Sequence, residues 1–105
     1  MMMIVYNTTY TMPVADARNF VIWVHQSMLP RIGEDGALSA PRLLRVLSHH
    51  DQETECFSLQ FEAGDTSELH RWFVRQGRGL AGELQEMFDG RVIGFSTLME
   101  YVSAE

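Results

Sequence analysis

The order in which two kinds of hydrophobic periodicity follow one another along the chain constrains its fold most. Residues 3–11 alternate in the way that a strand does, and residues 14–32 repeat apolar side chains every three or four positions, which is typical of one helix face. Strand-like alternation returns over residues 38–49 and 56–61, a capped helical pattern begins at Asp65, and strand-like alternation closes the chain over residues 91–102. The predicted order is strand, helix, strand, strand, helix, strand.

Proline and glycine predict where these elements start, stop or bend. Pro13 suits the first position of a helix, and Gly33 and Gly36 are expected to end that helix. In the second helix Gly77 and Gly79 each cost about 1 kcal/mol relative to alanine, which predicts a bend or break near residues 77–79. No linker or repeat divides the chain, so residues 1–105 are expected to form one domain.

This order predicts an α+β domain of the ferredoxin-like type, β-α-β-β-α-β, in which two helices cover one face of a four-stranded antiparallel sheet. Phe57, Leu59 and Phe61 of the third strand are expected to face the helices. The other, open face is expected to carry a mixture of polar and apolar side chains: Tyr6, Thr8, Tyr10, Arg45, Cys56, Ser58, Gln60, Ser96 and Leu98. Such a surface is too apolar to stay in contact with water, which predicts a homodimer formed through the open face.

The composition excludes several classes of function. The net charge is −6, from 14 acidic residues against 8 arginines, and no cluster of basic residues is present, so nucleic acid is not an expected partner. The chain has no lysine, which excludes a Schiff-base or phosphate-loop lysine. One cysteine excludes intrachain disulfides and favours the cytoplasm. The start does not resemble a signal peptide, and no apolar run is long enough to span a membrane.

Five side chains are candidates for binding a small molecule, although no residue is predicted to be catalytic: Tyr6, Trp23, His25, Arg45 and Trp72. His25 could act as a base. Because no carboxylate lies one helical turn away to orient it, the alternative interpretation is an exposed histidine without a catalytic role. Trp23 and Trp72, one in each helix, could line a pocket or simply anchor the core. Arg45 could hold an anion, or pair with Glu62 or Glu100 across a subunit contact.

The segment between the second and third strands contains residue types that bind divalent metals: His49, His50, Asp51, Glu53 and Glu55. Adjacent residues of a strand point to opposite faces, so His49 and His50 do not readily converge. A solvated hairpin tip is the alternative interpretation, and the sequence predicts neither a metal nor a cofactor. Cys56 has no basic neighbour in the sequence, which favours a buried, unreactive thiol.

The chain also resembles the short bacterial proteins grouped as domain of unknown function 4286, within the dimeric α/β-barrel superfamily. The resemblance covers Met3 to about Val102 and depends on four stretches of sequence: residues 4–7, 42–47, 60–63 and 88–100. It implies two ferredoxin-like subunits whose sheets pack together to close a barrel, and it implies no activity. One position departs from related chains, because Met28 stands where they often carry histidine, with His25 one helical turn earlier.

Two functions follow as hypotheses. The first is a non-catalytic dimeric α/β-barrel domain that binds a small apolar or anionic molecule. The alternative is a cofactor-free enzyme of the small monooxygenase or isomerase type, because enzymes of the superfamily that the chain resembles use a pocket between helices and sheet without a metal or flavin. This alternative requires a polar side chain within a cavity. Whether the chain is an enzyme therefore stays open at this point.

Overall fold

The computed structural model describes residues 3–48 and 51–102, and within them the strands and helices follow the predicted order. The strands are β1 (Ile4–Pro13), β2 (Leu38–Arg45), β3 (Thr54–Ala63) and β4 (Ile93–Glu100). They form one antiparallel sheet in the order β2-β3-β1-β4. This arrangement confirms the ferredoxin-like α+β fold.

The first helix spans residues 14–35 and changes its winding three times. It consists of a 3₁₀ turn at Val14–Asp16, an α-helix at Ala17–Trp23, a π-helical turn at Val24–Met28 and a second α-helix at Leu29–Asp35. Gly33, which we expected to end the helix, lies within it. The helix ends at Gly36 instead, whose left-handed φ of 77° is one that glycine adopts without strain.

The second helix spans residues 66–87 and contains the same kind of irregularity. Its α-helical parts, Thr66–Trp72 and Arg78–Met87, flank a π-helical turn at Phe73–Gly77. Asp65 caps the helix, because its Oδ1 accepts a hydrogen bond of 2.8 Å from the backbone N–H of Glu68. The predicted irregularity is therefore a wide turn that ends at Gly77. In the described part of the chain, neither helix has the length and apolar character needed to cross a membrane.

The hydrophobic core lies between the two helices and one face of the sheet. Phe57, Leu59 and Phe61 are all buried there, which confirms that these residues of β3 face the helices. At the centre is Phe20, which is fully buried and whose ring lies 5.0 Å from that of Tyr10 and 5.6 Å from that of Phe57. Aromatic packing thus joins the first helix to two strands.

The assignment of six other residues to the open face was wrong. Residues directly opposite each other in a sheet share a face, and β1 pairs Tyr6 with Phe61, Thr8 with Leu59 and Tyr10 with Phe57. The same reasoning moves Ser96 and Leu98 to the helix side, since they pair with Thr8 and Tyr6, and moves Arg45 there through its pairing with Phe57. Alternation within one strand divides its residues between two faces. It does not show which face of one strand lies on the same side of the sheet as a given face of its neighbour.

The open face is instead formed by Val5, Asn7, Thr9 and Thr11 of β1 and by the β2, β3 and β4 residues that pair on their side. Its centre is polar: Arg42 donates to Gln60, Gln60 to the Ser58 hydroxyl, and Ser58 to Asn7. Its edges are apolar, with exposed fractions of 45% for Leu44, 67% for Ile93, 70% for Phe95 and 40% for Met99. A surface of this kind is typical of a subunit interface.

Candidate ligand-binding cavity

A cavity of about 200 Å³ lies between the two helices and the helix-facing side of β1, β3 and β4. Its walls are mostly apolar and include six aromatic side chains, and its polar groups come mainly from the strands. The residues that matter for its chemistry are Tyr6, Thr8, Tyr10, Trp23, Phe61, Trp72 and Ser96. Because an apolar cavity of about 150 Å³ is enough to hold benzene, this one has room for a molecule somewhat larger than benzene.

Ring packing holds one wall of the cavity in place. The rings of Tyr6 and Phe61 are stacked, with centroids 5.1 Å apart and planes at 22°. Phe61 in turn contacts Trp72 edge to face, with centroids 5.5 Å apart. These geometries are the favourable ones for aromatic pairs, so the wall is held in place before any ligand arrives.

The strands supply the cavity's hydroxyl groups. The Tyr6 hydroxyl donates a 2.9 Å hydrogen bond to Oγ of Ser96, and Oγ of Ser96 lies 3.0 Å from Oγ1 of Thr8. Tyr10 lies beside them, and burial, followed by the proximity of Tyr6, raises its pKa to about 12, although the Thr8 hydroxyl partly offsets this. Near neutral pH these groups are uncharged donors and acceptors.

The indole of Trp72 has a hydrogen-bonding capacity that the protein leaves unused. Trp72 is 3% exposed, and its Nε1–H is the buried side-chain polar group that lacks a partner within residues 3–48 and 51–102. Leaving a buried donor unsatisfied costs about 1–3 kcal/mol. Trp72 lines the cavity, so an acceptor atom of a bound molecule that came within hydrogen-bonding distance of Nε1 would recover this energy.

Each tryptophan of the cavity directly precedes a π-helical turn. Trp23 is followed by the turn Val24–Met28, and Trp72 by the turn Phe73–Gly77. In the second turn a Cβ atom at residue 77 would lie 2.8 Å from the Phe73 ring and 3.0 Å from the Trp72 ring, so only glycine fits without displacing them. Turns of this type are frequent at functional sites.

A second depression, which we call the side groove, adjoins the cavity. Tyr6 and Phe73 line both, so the two spaces share a boundary. The side groove has a volume of about 620 Å³ and runs between the start of the second helix and Leu98 of β4. Besides Tyr6, its ionisable residues are His70 and Arg71.

The structure brings three of the five candidate residues together. Tyr6, Trp23 and Trp72 line the cavity, whereas His25 and Arg45 line a separate groove beside Phe57. Arg45 contacts Oε2 of Glu55 at 3.7 Å and lies 5.3 Å from the centroid of the Phe57 ring. Its ion-pair partner within the subunit is therefore Glu55, and the pairing with Glu62 or Glu100 across a subunit contact stays a prediction.

Several cavity residues escaped the sequence analysis as site residues. Thr8, Tyr10 and Ser96 were assigned to the open face, Met28 was noted only as a departure from related chains, and Gly77 only as a helix breaker. The signal that could have identified Gly77 is its place five residues after a tryptophan in an otherwise apolar helix face. Thr8 and Ser96 could be recognised as a pair of neighbouring hydroxyl groups only from the register between β1 and β4.

The metal hypothesis is not decided by the structure. His49 and His50 lie outside the described residues, and among those described no group of three or more histidine, cysteine or acidic side chains is placed to hold an ion. The absence of a metal stays a prediction. Protein purified without a histidine tag should contain far less than one equivalent of zinc or nickel by elemental analysis, and one equivalent that is lost in a His49→Ala/His50→Ala variant would contradict it.

The raised pKa of Tyr10 predicts how stability depends on alkaline pH. An unfolded tyrosine ionises near pH 10 and Tyr10 in the folded protein only near 12, so the unfolded state loses its proton first. Stability is therefore complete below pH 10 and should fall by about 1.4 kcal/mol per pH unit between pH 10 and 12. Urea unfolding across this range measures the slope, and a Tyr10→Phe variant should flatten it. Because the chain has no lysine, no lysine titration obscures the window.

Comparison with known proteins adds a family and a set of structures. The model of a family described as Domain of unknown function (DUF4286) matches residues 3–102. No curated protein sequence matches the chain. A dimeric ferredoxin-like protein from an uncultured marine organism has a TM-score of 0.77 at 12% identity, with each chain covered completely.

Two further solved structures carry names that describe an activity. A cofactor-independent oxygenase from Streptomyces nogalater has a TM-score of 0.64 at 12% identity, over 98% of this chain and 94% of its own. A monooxygenase from Streptomyces coelicolor, solved in complex with nanaomycin D, has a TM-score of 0.62 at 14% identity, over 95% of this chain and 89% of its own. At these identities the similarity shows a shared fold.

Proposed function

The chain belongs to the DUF4286 family, and we propose that this member is a homodimeric binding protein for a small, planar, largely apolar molecule that carries a hydrogen-bond acceptor. The observation that carries the proposal is the buried Nε1–H of Trp72, which has no acceptor in the described residues and belongs to a residue that lines an apolar cavity. Binding sites for small molecules usually combine an apolar lining with a few fixed polar groups, and this cavity has both.

The lining favours binding over acid–base catalysis. Among the described residues that line the cavity there is no carboxylate and no imidazole, and the ionisable side chains are the tyrosines Tyr6 and Tyr10. The pKa of Tyr10 is raised, which makes its hydroxyl a poor source of a phenolate base near neutral pH. His25, the sequence's candidate base, lines a different groove.

An enzyme of the cofactor-independent oxygenase type remains the second candidate, because two of the compared structures bear oxygenase or monooxygenase names. In such a reaction the substrate itself would have to supply the reactive electrons, while Trp72 and Ser96 would donate hydrogen bonds to a developing negative oxygen. Oxygen uptake with 1-naphthol, above the rate in buffer and reduced in a Trp72→Phe variant, would favour this candidate over simple binding.

The homodimer is supported by the open face. Phe95 and Ile93 are among its most exposed apolar residues, and one of the compared structures is a dimeric ferredoxin-like protein. A second copy on this face would leave the cavity accessible, since the cavity lies on the opposite side of the sheet. A cytoplasmic location is part of the proposal, because the single, buried cysteine thiol of Cys56 suits a reducing compartment.

The binding proposal is tested with a pair of molecules that differ in one acceptor. Acetophenone and ethylbenzene have similar size and shape, but only acetophenone offers a carbonyl oxygen. Because one hydrogen bond contributes about 1 kcal/mol net, the affinity of acetophenone relative to that of ethylbenzene, measured by calorimetry, should be about fivefold to tenfold higher in the unmodified protein than in a Trp72→Phe variant. The comparison of two proteins cancels the different costs of removing the two probes from water.

The matched comparison is Trp23→Phe, which removes the same atoms from the other helix. Both probes should bind it more weakly, because Trp23 also lines the cavity, but the ratio between them should persist since the Trp72 N–H is retained. If neither probe binds, or if the ratio is the same in the unmodified protein and in the Trp72→Phe variant, the proposal is overturned.

A further inference from the structure

We propose that the molecule bound in the cavity carries a carboxylate, or an anion of similar shape, which Arg71 and His70 of the side groove bind. The inference concerns the chemical class of the ligand, and it rests on the proposed function. Arg71 differs from most of the other arginines because its guanidinium has no partner among the described residues.

Most arginines of the described chain have their guanidinium engaged. Arg31 pairs with Glu83 and Arg91 with Asp16, and Arg45 contacts Glu55. Arg42 donates to Gln60, Arg78 lies over the Phe73 ring, and Arg75 has an interaction of its own. Arg71 and Arg18, by contrast, have no ion pair or hydrogen bond from the side chain within residues 3–48 and 51–102, although the chain carries 14 acidic residues, and of these two Arg71 lines the side groove.

The surroundings of Arg71 are unusual for so acidic a protein. The side groove is lined by hydroxyl, imidazole and guanidinium groups from one helix and by apolar side chains, with no carboxylate among its described residues. The polar residues are Thr66, Ser67, His70 and Arg71. A guanidinium without a carboxylate partner, beside further hydrogen-bond donors, is suited to a planar anion.

The side groove places the positive charge of Arg71 close to the cavity. Tyr6 and Phe73 line both spaces, which makes the two spaces neighbours, and the proposed ligand has its ring against Trp72 and its anionic end beyond Tyr6 in the side groove. The unused donor of Trp72 is an independent sign that the adjoining cavity receives a ligand. Together these features fit an amphiphilic molecule, with an aromatic body in the cavity and an anionic end in the side groove.

The test compares acids with their amides, because an amide keeps the shape and the acceptor of the acid but removes its charge. The probes are phenylacetate, 3-phenylpropanoate and 4-phenylbutanoate, each measured by calorimetry against its primary amide at pH 7. The acid whose length matches the distance to Arg71 should bind about tenfold more tightly than its amide, and added salt should reduce the difference. In an Arg71→Gln variant this preference should disappear.

Arg18→Gln is the matched control. It removes the same charge from an exposed arginine of the first helix and should leave the preference unchanged. Equal binding of acids and amides would overturn the anion inference and leave the cavity proposal intact. A preference reduced equally by both variants would also overturn it, since the effect would then come from overall charge. If no acid or amide binds, the inference and the proposed function both fail.

Discussion

Replacing Phe61 with alanine should lower the free energy of unfolding by about 3–5 kcal/mol, the usual cost of removing a buried phenylalanine ring. Phe61 is 2% exposed, stacks on Tyr6 and contacts Trp72 edge to face. Its loss therefore removes apolar burial and two ring contacts together. Because the change also enlarges the cavity next to Trp72, tryptophan fluorescence of the folded variant should differ from that of the unmodified protein.

Urea unfolding measures this effect. Leu47→Ala is the control, since Leu47 is 86% exposed and its loss should change stability by no more than about 0.5 kcal/mol. A Phe61→Ala variant as stable as the unmodified protein would mean that β3 turns its other face to the helices, and the cavity described here would not exist.

Placing a charge on the open face should abolish the proposed dimer. Phe95 is 70% exposed in the single subunit, and in a symmetric dimer a Phe95→Arg change would bury two unpaired guanidinium groups. The dissociation constant should rise at least about 100-fold. Sedimentation velocity at micromolar concentration should give a dimer for the unmodified protein and a monomer for the variant.

Val74→Arg provides the matched control, because Val74 is an exposed apolar residue of the second helix, with 47% of its surface accessible, on the opposite side of the sheet. This variant should remain a dimer. An unmodified protein that sediments as a monomer at micromolar concentration would contradict the proposal, as would dissociation of both variants to the same extent.

Local pattern predicted the elements of this fold well, because each element's period is a property of its own residues. The alternation around Phe57 and Phe61 predicted a strand with one buried face, and the glycines near residue 77 predicted an irregular second helix. The prediction that failed was which residues of different strands share one face of the sheet. Tyr6 and Ser96 lie on the helix side because of a register between β1, β3 and β4 that no single strand encodes.

The candidate site was predicted to the extent that it depends on residue type. Trp23, Trp72 and Tyr6 were candidates because large amphipathic rings commonly line pockets, and they do line one cavity. His25 and Arg45 were candidates for their chemistry alone, and they lie in another groove. The unsatisfied N–H of Trp72 has no counterpart in the sequence, since it depends on the absence of an acceptor around a buried atom.

The most direct test of the account is to observe the Trp72 N–H while a ligand binds. The chain has two tryptophans, so a ¹H–¹⁵N spectrum contains two indole signals, which Trp23→Phe and Trp72→Phe variants assign. Saturating acetophenone should move the Trp72 indole proton downfield, as expected on forming a hydrogen bond, whereas ethylbenzene should move it much less. A Trp72 indole signal that stays in place at saturation with acetophenone would contradict the central claim.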